Sequence, residues 1–116
     1  MNIKKGEIYL AALDPTIGKE ISKTRPVVIV SNNKNNEFSG TVTILPITSK
    51  NLRKIYPFEI FLTKGSGNLP KNSKVKADQI RTLDKNRIVK FIGALAKGEI
   101  VKIETAIRIH LDLSLL

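Results

Sequence analysis

Short apolar runs recur over the first 95 positions, several of them alternating with polar residues at a period of two, and this pattern predicts β-strands. The apolar runs are short, and Gly, Pro, Asn or Asp residues separate them. The pattern predicts six strands, at residues 6–13, 26–31, 41–47, 58–63, 73–80 and 88–95. The connections between them are short, which favours antiparallel pairing. A small barrel is expected, because closure removes open sheet edges.

After residue 97 the spacing changes to that of an α-helix. In residues 98–113, Ile100, Ile103, Ile107 and Leu111 fall on one face. Many of these residues are β-branched, so burial rather than intrinsic propensity must stabilise the helix. The expected architecture is mainly β, with one C-terminal helix covering the sheet.

Three local signals refine this picture. The Asn-rich segment 32–36 predicts a turn between the second and third strands. Pro46 lies inside the third strand and predicts a sheet edge or a bulge there. Residues 82–84 are expected to cap a short helical turn.

The composition narrows the class of protein. A chain of 116 residues is expected to form one domain, 1–116. It carries 20 Lys and Arg against 10 Asp and Glu, a net charge of +10 that favours a polyanionic partner such as nucleic acid. There is no cysteine, which excludes disulfides, Cys-ligated zinc and thiol catalysis. Neither a membrane span nor a signal peptide is predicted, so a cytoplasmic location is expected.

Several kinds of active site are disfavoured by residue counts. The only histidine is His110, inside the predicted helix, so ribonuclease chemistry with two histidines is excluded. The ten acidic residues are scattered without the spacing of metal ligands. No phosphate-binding glycine motif is present. We therefore predict no metal and no cofactor, and chemistry by positioned cations and hydroxyls.

Two residues at strand ends are the candidates for that chemistry. Arg25 directly precedes Pro26 and the apolar run 27–30, so its guanidinium is held at the mouth of a rigid strand. Thr48 closes the apolar run 42–47 and offers a hydroxyl at a comparable position. RNA cleaves itself when its 2′-hydroxyl attacks the adjacent phosphate, and such groups can stabilise the charge that builds on that phosphate.

Carboxylates and further cations are expected beside these two residues. Asp78 and Glu20 are the acidic residues predicted to lie near Arg25, and Lys19 or Lys76 would add positive charge. Each residue also has an ordinary structural interpretation, as a surface charge, a turn cap or an ion-pair partner.

Five segments, taken in this order, resemble the MazF/PemK family of toxin endoribonucleases. They are GEIY at 6–9, GKE at 18–20 leading into RPVVIVS at 25–31, LPITS at 45–49, YPFEI at 56–60 and ADQIRTLD at 77–84. The resemblance implies an SH3-like barrel of six to seven mostly antiparallel strands with a C-terminal helix. It also implies metal-independent, sequence-selective cleavage of single-stranded RNA such as mRNA, leaving 2′,3′-cyclic phosphate and 5′-hydroxyl ends.

The same resemblance implies partners and roles. The toxin would be a homodimer that inhibits translation and is neutralised by a cognate acidic antitoxin. Arg25 and Thr48 match the catalytic arginine and threonine of the family. The residues expected to bind RNA, by resemblance or as basic and aromatic loop residues, are Lys19, Glu20, Lys50, Lys54, Tyr56, Asp78 and Gln79.

The chain departs from the family pattern at three positions. Lys19 and Lys76 stand where some members carry histidine and arginine, so the arginine-and-threonine scheme fits better than an acid–base scheme based on that histidine. Ile21 follows Glu20 in place of the usual glutamine.

Two alternative functions remain open at this point. One is a non-catalytic toxin of the same fold that binds a protein target such as gyrase. The other is an RNA-binding barrel without chemistry, but the chain has only six aromatic residues, of which Tyr56 and Phe38 are the plausible stacking platforms. The match of Arg25 and Thr48 favours the nuclease over both.

The helix also predicts self-association. Ile103 and Ile107 lie on one side of it and Ile109 and Leu113 on another, before the chain ends in two further leucines at 115 and 116. This is more apolar surface than one small barrel covers, so a homodimer is expected.

Overall fold

The computed structural model describes residues 2–114. The strands in this range are β1 (Glu7–Ala12), β2 (Thr24–Ile29), β3 (Thr41–Thr48), β4 (Glu59–Leu62), β5 (Ser73–Lys76), β6 (Arg81–Asp84) and β7 (Ile88–Ala94). The helices are α1 (Asn33–Phe38) and α2 (Lys97–Leu111). The predicted class, mainly antiparallel β with a C-terminal helix, is confirmed.

The seven strands form one bent antiparallel sheet. Its order is β4-β5-β3-β2-β1-β7, and β6 pairs with the first half of β3. The sheet does not close strand to strand between β4 and β7. Instead the connection from β4 to β5 packs on β7, where Asn68 Nδ2 donates to the Ile92 carbonyl at 3.1 Å. Gly93 permits this approach, because a Cβ there would overlap the Gly67 carbonyl.

Two apolar clusters lie on opposite faces of the sheet, which explains why β2 is almost continuously apolar. Val27 and Ile29 pack with Ile44 in one cluster, whereas Val28 belongs to the other, on the face covered by α2. Ile103 and Ala106 are the buried residues of α2 in that second layer. Arg25 lies near the start of β2 and Thr48 at the end of β3, on the same face of the sheet as Val27 and Ile29.

Three local predictions need correction. The segment expected to be a turn at 32–36 begins helix α1, because the Asn32 side chain accepts a hydrogen bond from the Asn35 amide and caps the helix. The predicted fifth strand, 73–80, ends at Lys76, and a 3-10 turn at Ala77–Gln79 separates it from β6. Residues 82–84 belong to β6, although Asp84 does cap the 3-10 turn that follows.

Pro46 lies at a local edge of the sheet, as predicted, because only β2 pairs with β3 at this position. On the side away from β2, β3 pairs with β6 through residues 41–44 and with β5 through Ile47 and Thr48. Leu45 and Pro46 fall in the gap between these two ladders. A proline is tolerated there because no strand on that side requires its missing N–H.

The C-terminal helix covers the sheet as predicted, with one correction. Leu111 was expected on the buried face but is 45% exposed. Val101, Ile109 and Leu113 are also about half exposed, so α2 presents apolar side chains to solvent. The leucines at 115 and 116, which entered the homodimer prediction, lie outside the described residues. Within residues 2–114, no helix has the length and apolar composition needed to cross a membrane.

Candidate active site

The register of three strands brings the two predicted catalytic residues together. Val27 pairs with Pro46, and extending this β2–β3 register by two residues places Arg25 opposite Thr48. On the other side of β3, Thr48 pairs with Lys74 of β5. Partners in neighbouring strands point to the same face, so Arg25, Thr48 and Lys74 form a row across the sheet.

This row forms part of a pocket of about 270 Å³. Its lining residues are Lys19, Glu20, Ile21, Ser22, Arg25, Thr48, Lys50, Asn51, Lys74 and Lys76. Five of these side chains are cationic and one is a carboxylate, so the pocket favours an anion. Among the described residues, no three His, Cys, Asp or Glu side chains come together as metal ligands.

Arg25 is oriented by one backbone contact. Its Nε donates a hydrogen bond to the Ser22 carbonyl at 3.0 Å. In the described part of the chain this is the only acceptor of the guanidinium, and no carboxylate pairs with it. The terminal Nη groups therefore remain available as donors for a bound anion, in the fork geometry that suits phosphate oxygens.

The Thr48 hydroxyl is also fixed by the backbone. Its Oγ1 accepts a hydrogen bond from the Lys50 amide at 3.1 Å, which leaves the hydroxyl hydrogen free to be donated. This hydrogen bond lies at the start of the loop 49–58, which follows β3. The loop places Lys50 on the rim of the pocket. Thr48 and Lys50 are thereby fixed relative to one another.

The loop between β1 and β2 forms the opposite wall. Glu20 accepts a hydrogen bond from the Ile17 amide at 2.6 Å. Gln79 reaches the loop from the turn after β5: it accepts from the Ile21 amide and donates to the Lys19 carbonyl, both at 3.3 Å. The Gln79 side chain thus holds the loop, and its predicted contact with RNA stays a prediction.

The predicted RNA-binding residues do not all share one pocket. A second pocket, of about 420 Å³, contains Asp78 and Gln79 but neither Arg25 nor Thr48. Lys19, Glu20 and Ile21 border both pockets, so the two lie on either side of the β1–β2 loop.

The two other predicted RNA contacts lie outside both pockets. Lys54 Nζ is 5.0 Å from the centroid of the Tyr56 ring, which in turn stacks on Phe58. Tyr56 is 43% exposed, so this basic aromatic stack is accessible from solvent. Phe38, the other suggested platform, is exposed on α1 and borders neither pocket.

A buried ionic cluster under the pocket was missed by the sequence analysis. The Glu59 side chain has no exposed surface and accepts hydrogen bonds from Lys74 at 3.1 Å and from Lys76 at 2.6 Å. Lys76 also lies 3.5 Å from Asp78, whose Oδ1 is buried and accepts no hydrogen bond within residues 2–114. In the sequence these lysines alternate with Val75 and Ala77 and so resemble a solvated face. Only the β4–β5 register, which pairs Glu59 with Lys76, shows otherwise.

Glu59 and Lys76 stay charged at neutral pH. Burial acts to raise the pKa of Glu59, but hydrogen bonds from Lys76, the Tyr56 amide and Lys74 together lower it. Burial acts to lower the pKa of Lys76, but the Glu59 hydrogen bond and the charges of Asp78 and Glu59 raise it. The floor of the pocket is therefore a fixed arrangement of charges.

Comparison with known proteins places the chain in a family. Residues 4–111 match the model of the PemK-like, MazF-like toxins of type II toxin-antitoxin systems. Endoribonuclease MazF9 of Mycobacterium tuberculosis is 35% identical over 116 residues, which cover 96% of this chain and 98% of the relative.

Solved structures share the fold. MazF from Deinococcus radiodurans superposes with a TM-score of 0.84 at 24% identity, covering 97% of this chain and 99% of that one. The MazE–MazF complex from the same organism contains a chain with a TM-score of 0.77 at 22% identity, covering 98% and 99%. The match to the family model extends over nearly the whole chain, and the protein belongs to the PemK-like, MazF-like toxins of type II toxin-antitoxin systems.

Proposed function

We propose that this protein is an endoribonuclease toxin that cleaves single-stranded RNA, at sequence-selected sites, without a metal ion. The main observation in support of the proposal is the pocket that Arg25 and Thr48 line together with four lysines. The 35% identity to an endoribonuclease over nearly the full length of both chains supports the same reaction.

In the proposed reaction the 2′-hydroxyl of one nucleotide attacks the adjacent phosphorus. The bond from phosphorus to the 5′-oxygen breaks, and the products are a 2′,3′-cyclic phosphate and a 5′-hydroxyl. The 2′-hydroxyl loses its proton and the leaving oxygen gains one. Negative charge builds on the non-bridging oxygens, where the free Nη groups of Arg25 and the Thr48 hydroxyl would stabilise it.

The remaining charged residues would bind and orient the RNA. Lys50 and Lys19 border the pocket on opposite sides and are exposed, so they can contact the phosphates that flank the scissile bond. Glu20 lies on the same wall as Lys19, and its Oε2 is left to accept a hydrogen bond from a ribose hydroxyl or a base. Asp78 and Gln79, beyond the β1–β2 loop, would contact a more distant nucleotide.

The first test is end-mapping of a long unstructured RNA after incubation with the pure protein in excess EDTA. We expect cuts at a short motif, with cyclic phosphate and 5′-hydroxyl ends, because the charge stabilisation comes from Arg25 rather than from a metal. A requirement for added magnesium, or 5′-phosphate ends, would contradict the proposed chemistry. No cleavage under any condition would favour the alternative, a toxin of this fold that binds a protein such as gyrase.

We further propose that a cognate antitoxin with an acidic segment inhibits the protein by covering this pocket. A net charge of +10 attracts an acidic chain, and the pocket concentrates that charge. We expect an acidic antitoxin peptide and a short uncleavable RNA to exclude one another in a fluorescence-anisotropy competition, with affinity falling as salt rises. Simultaneous binding of both, with cleavage unchanged, would show that inhibition does not occur through the pocket.

The protein is also proposed to be a homodimer. Ile109 on α2 and Leu113 just beyond its end are about half exposed, and burying them against a second copy would remove them from water. Light scattering is expected to give twice the chain mass of 12.9 kDa at micromolar concentration. Ile109→Lys should shift the protein towards monomer, whereas Val89→Lys, an equally exposed site on β7, should not. A monomeric wild-type protein would contradict the proposal.

A further inference from the structure

Lys74 is a buried lysine whose contacts lead to the loop after β3. It is 4% exposed, although nothing in its local sequence distinguishes it from the surface lysines of this chain. Its Nζ donates to three acceptors: Glu59 Oε1 at 3.1 Å, the Asn51 carbonyl at 2.9 Å and the Lys54 carbonyl at 3.2 Å. An ammonium has three hydrogens, so all of them are used inside the protein.

Two of those acceptors belong to the backbone of one loop. Asn51 and Lys54 lie in residues 49–55, which have no regular secondary structure, and Asn51 has a positive φ of 56°. Such a loop has few contacts of its own to keep it in one conformation. Two charge-assisted hydrogen bonds from a buried ammonium supply that restraint, since each is stronger than a bond between neutral groups.

The restrained loop carries part of the substrate pocket. Lys50 and Asn51 both line the pocket that contains Arg25 and Thr48. Lys74 stands opposite Thr48 in the β3–β5 ladder, so the loop is tied to the strand position directly beside a proposed catalytic residue. A change in the loop would move Lys50 relative to Thr48 without altering either side chain.

We propose that Lys74 is a positioning residue that holds the 49–55 loop in the conformation that binds RNA, and that it thereby determines substrate affinity and the choice of cleavage site. This inference rests on the proposed endoribonuclease function. Lys74 acts through Lys50 and the loop backbone, since its own ammonium hydrogens are already bonded and are not available to a phosphate.

The experiment compares Lys74→Met with the wild-type protein on one RNA of defined sequence. Methionine is an unbranched side chain one atom shorter than lysine, and it removes the donors. We expect KM to rise about ten- to hundredfold through loss of two hydrogen bonds, with kcat changed less than about threefold and cuts at additional sites. Hydrogen exchange should lose protection in residues 49–55 and not elsewhere. Lys34→Met, at an exposed residue of α1 that borders neither pocket, removes the same charge and should change KM only slightly.

A double-mutant cycle with Lys50→Met separates positioning from a direct contact. If Lys74 acts through Lys50, the KM of the double variant will lie well below the value obtained by multiplying the two single effects. If the two effects multiply, Lys74 acts independently of Lys50 and the proposal is wrong.

A second variant allows the test to be made if Lys74→Met does not fold. Should Lys74→Met fail to fold because Glu59 loses a charged partner, K74M combined with E59Q removes both charges of that pair and leaves the loop carbonyls equally without a donor. The same rise in KM and altered cut sites are expected there. Unchanged KM and cut sites in an active, folded variant would overturn the role of Lys74. Absence of cleavage by the wild-type protein would instead overturn the proposed function.

Discussion

Replacing Arg25 by alanine is expected to lower the rate of RNA cleavage about a hundred- to thousandfold, the effect of removing one preorganised donor from a developing oxyanion. The fold should survive, because Arg25 lies at the end of β2 and makes one hydrogen bond, to the Ser22 carbonyl. Single-turnover cleavage under saturating protein measures the chemical step, and a urea denaturation curve checks the fold.

Two variants make this result specific. Thr48→Ala should cost less than the arginine change, because a neutral hydroxyl stabilises negative charge less than a guanidinium does. Arg53→Ala removes the same charge as Arg25→Ala from an exposed residue that does not line the pocket, and should weaken RNA binding slightly without slowing the chemical step. Turnover close to that of the wild type in the Arg25 variant would exclude the proposed site.

Replacing Glu59 by alanine is expected to lower the free energy of unfolding by about 3–5 kcal/mol. The substitution leaves the ammonium of Lys74, whose side chain is 5% exposed, without its carboxylate, and removes the principal partner of Lys76. Urea denaturation at pH 7 measures the loss. The control is Glu104→Ala, which breaks the pair with Lys5, whose side chains are 34% and 35% exposed, and should cost less than about 1 kcal/mol.

The pH dependence of stability tests the same cluster. The pKa of Glu59 is lower in the folded protein than in the unfolded chain, so its contribution is present above the unfolded value of about 4.3. That contribution is lost as the pH falls through the folded-state pKa. Glu59→Gln cannot titrate, so the fall in stability below about pH 4 should be shallower in that variant. Identical acid profiles would show that Glu59 is not coupled to folding.

The location of the cluster connects stability to the proposed function. Lys74 lines the pocket and pairs with the buried Glu59, and its ammonium also donates hydrogen bonds to the backbone of the 49–55 loop. Burying the charges of Glu59 and Lys74 costs free energy. Buried polar groups are known to specify one conformation over others, and we infer this role for the pair at the 49–55 loop. If Lys74 positions the 49–55 loop as proposed, the free-energy cost of burying these charges has a functional reason.

Much of this protein is predictable from local sequence. Alternation or a short apolar run identified β1, β2, β3, β4 and β7 to within two residues at each end, and the change of period at residue 97 identified α2. The proximity of Arg25 and Thr48 could also be predicted, because each residue directly adjoins an apolar run. Antiparallel neighbours in a small barrel bring such strand ends together. These features depend on how often side chains return to the same face of a strand or helix. That periodicity is visible in the sequence of a single element.

Other features were decided only by tertiary structure. Lys74 looks like a surface lysine until β4 places Glu59 beside it, 15 positions earlier in the chain. Asn36 belongs to a segment with the composition of a turn, but it is buried in α1 and bonds back to the Ser31 carbonyl. In both cases the decisive partner comes from another element, and the burial of a polar group depends on whether that partner is present. Local pattern determines the strands, whereas the charges and amides beneath the pocket depend on which strands become neighbours.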